Sequence, residues 1–434
     1  MDDAVGRSGL SGLLDAAEDA SPVEAVEAVT RRIGLALGAA EVSFLVADLS
    51  GRGLVRLTHV PLSAAATAGP PLGTSAVDGP DERRDEQELA TDLPFDGGPA
   101  EQALSTQVVQ VLPPSGPEVP GAPALWTVLA PVTERGEALG LLELSLPARP
   151  EPAVLDEIAR TAHLLGFVII ASRRHTDLYE WGQRSTPFSL SAEVQRRLLP
   201  EAHTCEAGSF TLSAWLEPAE SVGGDTFDYS LARDVLHLSM TDAMGHGVAS
   251  SLTATLCVGS LRNTRRHGMS LIEQAEHAND ALLEHGEALP VECYSTGLLG
   301  RLDLRTGELV LVNAGHVAPY LLRDGRVEAV DLPPDLPFGL FSGATYNSTS
   351  LALKSGDRLV LVTDGMVERN AKDLDLPEMI ARTSDQHPRE AARHLADMVL
   401  EATGHALADD ATLLMLDWRG DHGHGRDTTS GSSA

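Results

Sequence analysis

The stretch LHLSMTDAMGHGVASSLTATL, residues 236–256, constrains this chain more than any other. Leu236, Leu238 and Met240 alternate at period two, the pattern of a strand with one buried face. Asp242 falls on that same face, where the strand gives out. Gly245 and Gly247 then mark a tight turn, and a helix of small residues is predicted from Val248. An acid that continues a buried apolar face is expensive unless something neutralises it. An aspartate before a helix can also be a plain turn or N-cap residue. This stretch alone leaves both readings open.

The pattern recurs. DRLVLVTDGMVE (357–368) is an apolar strand with Val360 and Val362 in phase with Asp364, followed by Gly365. ADDATLLMLDW (408–418) sets Asp409 and Asp410 at the start of a third apolar strand. AESVGGDTFDYS (219–230) places Asp225 after paired glycines, just beyond the strand-like FTLSAWLEP. If these ends converge, the carboxylates repel: a pair about 4 Å apart costs on the order of 4 kcal/mol at an effective dielectric near 20. Either pKa values rise or a divalent cation sits between them. All-oxygen ligation suits Mg²⁺ or Mn²⁺ better than zinc.

The charge balance limits the partners. There are 63 Asp plus Glu against 32 Lys plus Arg, a formal −31, which argues against nucleic acid or an anionic membrane as the main partner. Cys205, Cys257 and Cys293 have neither metal-ligand nor CxxC spacing and fit a reducing compartment. MDDAVGRSGLSG lacks a signal-peptide profile, and the longest apolar run, Leu164 to Ala171, is too short to span a bilayer. A soluble, cytoplasmic protein without a membrane partner is expected.

The 434 residues predict two to three domains. Residues 1–20 read as a disordered acidic lead-in. A helix is predicted from Pro22 to Ala39, with Ser21 as N-cap and Val23, Val26, Val29, Ile33 and Leu37 at helical spacing. Residues 41–60 read as two strands, 61–104 as a mobile Ala/Pro/Gly-rich excursion, and TQVVQVLP, ALWTVLAPV and GLLELSLP as strands. This order resembles a GAF domain over 21–151, with 152–172 as its possible closing helix. The resemblance implies an α/β sensory module with a central antiparallel sheet, taking a small ligand or none. A domain used for dimerisation alone is the alternative. No cysteine precedes Cys205, so bilin attachment is excluded, and His59 and His163 are each more simply structural than haem ligands.

A helix is predicted from Pro152 to Glu180. Leu155, Ile158, Ala162, Leu165 and Ile169 form a heptad seam. It serves either to close the N-terminal domain or as a short parallel coiled coil in a linker, 152–190, that makes the chain a homodimer. Residues 191–418 form the second domain. It contains an amphipathic helix SAEVQRRLLP, a helical region over 248–287, a β-meander over 294–332, two strands around Ser355-Gly356-Asp357, and a helix from Pro388 to Thr403. Residues 419–434 read as a disordered tail in which His422 and His424 are solvated.

Eight blocks in the second domain occur in a familiar order. They are QRRLLP (195–200), VGGDTFD (222–228), DAMGHGV (242–248), STG (295–297), NAGH (313–316), PFGL (337–340), SGDRLVLVTDGMVE (355–368) and DDATLL (409–414). Together they resemble the SpoIIE-like branch, the RsbU type, of the metal-dependent type 2C serine/threonine protein phosphatases. With the GAF-like module, the resemblance implies an α+β chain whose second half is a sandwich of two antiparallel sheets flanked by helices. It implies that Asp225, Asp242, Asp364 and Asp409 bind two Mn²⁺ or Mg²⁺ ions, with the Ala243 carbonyl as a further ligand. Asp410 is the neighbour most easily confused with Asp409. It also implies attack on phosphorus by a metal-activated water. The partner is a phosphorylated protein carrying phosphoserine or phosphothreonine, such as an anti-sigma-factor antagonist. No GxSxG or Walker A pattern competes.

Some positions depart from the family. Ala243 replaces a common glycine, and Thr226-Phe227 stands where two aromatics are usual. His246 and His316 read as architectural rather than as acid catalysts, and no phosphate-clamping arginine is identifiable. A signalling scaffold that binds phosphorylated partners without catalysis is the competing function.

Overall fold

The computed structural model describes residues 10–48, 52–62, 92–95, 97–114, 124–183, 189–218, 223–287, 293–367, 374–404, 407 and 409–420. The chain divides into two compact units, one within Met1–Pro187 and one within Phe188–Gly425.

The described part of the first unit runs α1 (Leu10–Asp19), α2 (Ala25–Leu37), β1 (Glu41–Ala47), β2 (Gly53–Pro61), β3 (Asp92–Pro94), α3 (Pro99–Thr106), β4 (Gln110–Leu112), β5 (Trp126–Glu134), β6 (Glu137–Leu146), α4 (Pro152–Ser172) and α5 (Leu178–Gly182). The strands form one antiparallel sheet in the order β3-β2-β1-β6-β5-β4. Alternation along β1 sends Val42, Phe44 and Val46 to one face, into a core with Val26 and Val29 of α2 and Ile158, Ala162 and Leu165 of α4. Leu45 goes to the other face, under Ala103 and Leu104 of α3.

Several expectations for this half are corrected. Residues 10–19 are a helix, not a disordered lead-in: Leu10, Leu13, Leu14 and Ala17 recur at helical spacing, and Leu13 is buried in the core. The next helix begins at Ala25 rather than Pro22, and Ser21 bonds Glu24 in the turn before it instead of capping. Part of the 61–104 excursion is ordered, since β3 pairs with β2 and α3 packs on the sheet; residues 63–91 lie outside the described set. The helix predicted to Glu180 stops at Ser172. A 3₁₀ turn, Arg173–His175, and an extended Thr176 follow, and Tyr179 of α5 returns to the core.

Ile158, Ala162 and Leu165 are fully buried against their own sheet, and Ile169 is nearly so. These four seam residues pack within the first unit, and Leu155 is partly buried against the same core. The homodimer expectation thereby loses the observation it rested on.

The second unit contains, among its described residues, α6 (Leu190–Leu198), β7 (Thr204–Glu206), β8 (Phe210–Glu217), β9 (Asp225–Leu231), β10 (Val235–Ala243), α7 (Val248–Arg266), α8 (Leu271–Glu287), β11 (Ser295–Asp303), β12 (Glu308–Ala314), β13 (Tyr320–Arg323), β14 (Arg326–Ala329), β15 (Ser348–Ala352), β16 (Asp357–Val362), α9 (Leu376–Arg382), α10 (Pro388–Ala402) and β17 (Ala411–Trp418). They build two antiparallel sheets, β15-β12-β11-β10-β9 and β14-β13-β16-β17-β8-β7.

The sheets share a core of Phe210 and Leu212 (β8), Phe227 (β9), Leu236, Leu238 and Met240 (β10), Leu359 and Leu361 (β16), and Leu414 and Leu416 (β17). The outer face of the first sheet packs under α7 and α8. That of the second packs under α9 and α10.

The expected meander is divided between sheets. β11 and β12 pair in one, whereas β13 and β14 belong to the other, so the chain crosses over between Ala314 and Tyr320. The strands flanking Ser355-Gly356 likewise separate, β15 pairing with β12 and β16 with β17 and β13. Residues 419–420 are not part of a loose tail: the Arg419 and Gly420 amides donate to the Ser209 carbonyl. Residues 421–434, with His422 and His424, lie outside the described set.

Candidate active site

The site gathers where β9, β10, β16 and β17 meet. Asp225 opens β9 and lies directly opposite Asp242 on β10. Ala243 ends β10, and its amide donates to the Gly224 carbonyl. A side chain at Gly224 has no room: its Cβ would fall 2.4 Å from the Ala243 carbonyl oxygen. Gly365 is needed for the same reason, because a Cβ there would fall 2.0 Å from the Asp410 carbonyl oxygen. The glycines beside the acids therefore let backbones close in on one another.

Asp225 is 2% exposed. Its Oδ2 accepts from the hydroxyls of Thr363 (2.7 Å) and Thr412 (2.6 Å). Burial pushes its pKa well above the ordinary carboxylate value, the charges of Asp242 and Asp410 push it further, and the two hydroxyls oppose the shift. Asp410 is equally buried. Its Oδ2 accepts from Gln195 Nε2 (2.6 Å) and the Gly223 amide (3.1 Å). Gln195 Nε2 also donates to the Asp225 carbonyl at 2.9 Å. Asp409 is partly exposed, and its Oδ1 accepts from the Asp410 amide at 2.8 Å.

The structure thus brings Asp225, Asp242 and Asp410 into one electrostatic group, with Asp409 beside it. Asp364 does not follow its expected phase. Val360 and Val362 belong to the outer core under the helices, while Leu359 and Leu361 face the other sheet. The residue that continues the inner face is Thr363, which bonds Asp225. Asp364 starts a 3₁₀ turn, Asp364–Met366, which takes it out of the strand's alternation.

Three contributors escaped the sequence: Thr363, Thr412 and Gln195. The only sequence signal for them is membership of the SGDRLVLVTDGMVE, DDATLL and QRRLLP blocks. His316 orders the turn after β12. Its amide donates to Asn313 Oδ1 (2.7 Å), its Nδ1 meets Thr296 Oγ1 (2.7 Å), and burial lowers its pKa to about 4. His246 is exposed. Arg262 and Arg265 are turned onto Asp228 rather than toward the acids.

The donor set fits a hard divalent cation. Asp225 is an acid buried beside acids and held by neutral hydroxyls, so a cation would supply the missing positive charge. Carboxylates and a backbone carbonyl are the oxygens such an ion takes. Among the described residues no group of three or more His, Cys, Asp and Glu side chains is arranged to hold a metal ion by itself.

Residues 232–419, less than half of the chain, match the family model described as Stage II sporulation protein E (SpoIIE). The chain is 20% identical over 237 residues to the phosphoserine phosphatase RsbU of Bacillus subtilis (strain 168), covering 52% of this chain and 68% of that protein. It is 24% identical over 226 residues to the phosphoserine phosphatase RsbP of the same organism, covering 48% and 55%. Among solved structures, the SiaA-PP2C domain of Pseudomonas aeruginosa is similar at 21% identity and a TM-score of 0.44, covering 53% of this chain and 94% of that one.

Proposed function

We propose that this chain, which carries a SpoIIE/RsbU-like phosphatase domain of the type 2C kind, is a metal-dependent phosphoprotein phosphatase acting on phosphoserine and phosphothreonine. The observation that carries the reading is Asp225: a carboxylate 2% exposed, facing Asp242 and Asp410. A protein core keeps such an arrangement at a cost in stability.

Asp225, Asp242, Asp364 and Asp409, with the Ala243 carbonyl, would hold two Mn²⁺ or Mg²⁺ ions. When bound, they supply a water nucleophile active at neutral pH and offset charge on the phosphoryl oxygens. The chain's own residues set the positions. Thr363 and Thr412 fix the rotamer of Asp225, Gln195 and the Gly223 amide fix Asp410, and Asn313 fixes the turn bearing His316. The substrate is a phosphorylated signalling protein, with an anti-sigma-factor antagonist as the family-level expectation. The module over 21–151, closed by α4, is read as a GAF-like regulator. Among the described residues, no helix is long and apolar enough to cross a membrane.

The test is phosphate release from phosphoserine, phosphothreonine and phosphotyrosine peptides, with Mn²⁺ present and then chelated. Metal-dependent release from the first two supports the proposal. Preference for phosphotyrosine overturns the specificity, and binding of a phosphoprotein without turnover favours the scaffold reading.

A further inference from the structure

Helix α6 is short and carries Gln195, the side chain that touches both Asp410 and the Asp225 carbonyl. A helix of this length does not hold itself in place. Its C-terminal carbonyls need partners, and a cation there is favoured by the helix dipole. That partner is Arg262 of α7, whose Nη2 donates to the Leu198 carbonyl at 2.6 Å. Ser251 adds a weaker tie: its Oγ lies 3.3 Å from the Ser191 carbonyl and is shared with the Gly247 carbonyl.

Arg262 is itself held from behind. Its Nη2 and Nε donate to the two oxygens of Asp228, at 2.8 and 3.1 Å. Asp228 lies on β9, three residues beyond Asp225, and its side chain is 6% exposed. Arg265 also donates to Asp228, at 2.9 Å. The planar guanidinium can grip a carboxylate on one edge and still reach a carbonyl, which an ammonium cannot do with the same geometry. Arg262 thus joins the end of α6 to the strand that begins with Asp225.

We propose that Arg262 is a positioning residue: by capping α6 from Asp228, it holds Gln195 against Asp410 and the Asp225 backbone. The inference rests on the phosphatase reading for its kinetic consequence, but not for its structural one. Arg265 supplies the control. Without Arg262, Asp228 keeps a charged partner, so the buried carboxylate is not orphaned and the unit still folds. Without Arg265, Asp228 keeps Arg262 and the cap on α6 is intact.

The experiment compares Arg262→Met with Arg265→Met in the full chain. Hydrogen exchange is read over residues 190–198, with kinetics on a phosphoserine peptide alongside. Arg262→Met is expected to lose amide protection in α6 and to lower kcat about tenfold with KM little changed, since the lost contact acts on the acids and not on substrate binding. Arg265→Met is expected to match the wild type on both readouts. Combining Arg262→Met with Gln195→Leu should add little beyond the larger single effect, because both act through one contact.

Unchanged α6 protection in Arg262→Met overturns the proposal, as do equal losses in the two arginine variants or additive effects with Gln195→Leu. If the wild type releases no phosphate, the phosphatase reading fails, while the exchange data still decide whether Arg262 holds α6.

Discussion

On the sheet of the first unit, charges stand beside their complements. Arg56 Nη1 lies 2.7 Å from Glu143 and also bonds Ser43, Ser145 donates to Glu41 at 2.9 Å, and His59 meets Ser43 at 3.0 Å. Arg56 and Glu143 remain 36% and 27% exposed. At Asp225 in the second unit the arrangement is reversed. Asp225 is buried, its neighbours across the strands are Asp242 and Asp410, and its partners are two hydroxyls. The first pattern is what a fold does to satisfy itself. The second is stable only against a cost, the cost that the proposed cation site would offset.

The sharpest way to test this contrast is to remove the acid. Asp225→Asn should lower kcat by roughly 10³-fold or more, while thermal melting of the metal-free protein stays level or rises, because a repelling buried charge is gone. Arg56→Met in the first unit should leave kcat unchanged. Retention of activity by Asp225→Asn breaks the comparison.

Leu165→Glu comes next. It places a charge at a fully buried position of the first unit and should cost about 3–5 kcal/mol there. Limited proteolysis should show the first unit opened and the second still protected. A variant that keeps its stability but halves its mass in light scattering would restore the dimer seam.

Acid should weaken the second unit through two histidines. Burial lowers the pKa of His203 to about 4, with Arg196 adding to the shift, and burial lowers His316 to about 4 as well. A histidine whose folded pKa is depressed is neutral in the fold, and the unfolded chain binds the extra proton. Its stabilisation is complete above pH 6.5 and is lost as pH falls toward 4. Each is worth on the order of 3 kcal/mol across that window. Urea unfolding at pH 7, 6, 5 and 4.5 measures the slope, and a flat profile would show that neither ring stays neutral. The smallest effect is the stability change for Arg56→Met, about 0.2–1 kcal/mol for a half-exposed pair.

Parts of this site were legible in the sequence. Asp242 at the end of an alternating strand, and Gly245 and Gly247 at φ +93° and +76° before α7, follow from local rules. Strand β16 was not legible in the same way. Every residue from Asp357 to Val362 is buried, so its pattern carries no information about which face meets the other sheet. Alternation gives the phase to Asp364, whereas the fold gives the inner face to Thr363. The seam of α4 was ambiguous because helical spacing identifies a buried stripe without saying whether a sheet or a second chain buries it. Gln195 was invisible as a functional group, since its partners lie 30 and 215 residues away.

The pairing of β8 with β17 has a consequence for how the chain is made. Phe210 is matched to Trp418, and Glu217 to Ala411. On a ribosome β8 emerges long before its neighbour, leaving one edge of a buried strand open throughout synthesis of the helices and strands between them. Asp410 arrives with that last strand, just ahead of Ala411. Assembly of the acid group is therefore a late event in a fold built on distant pairings, and a nascent chain stalled before this point would expose an aggregation-prone edge and leave the site without Asp409, Asp410 and Thr412.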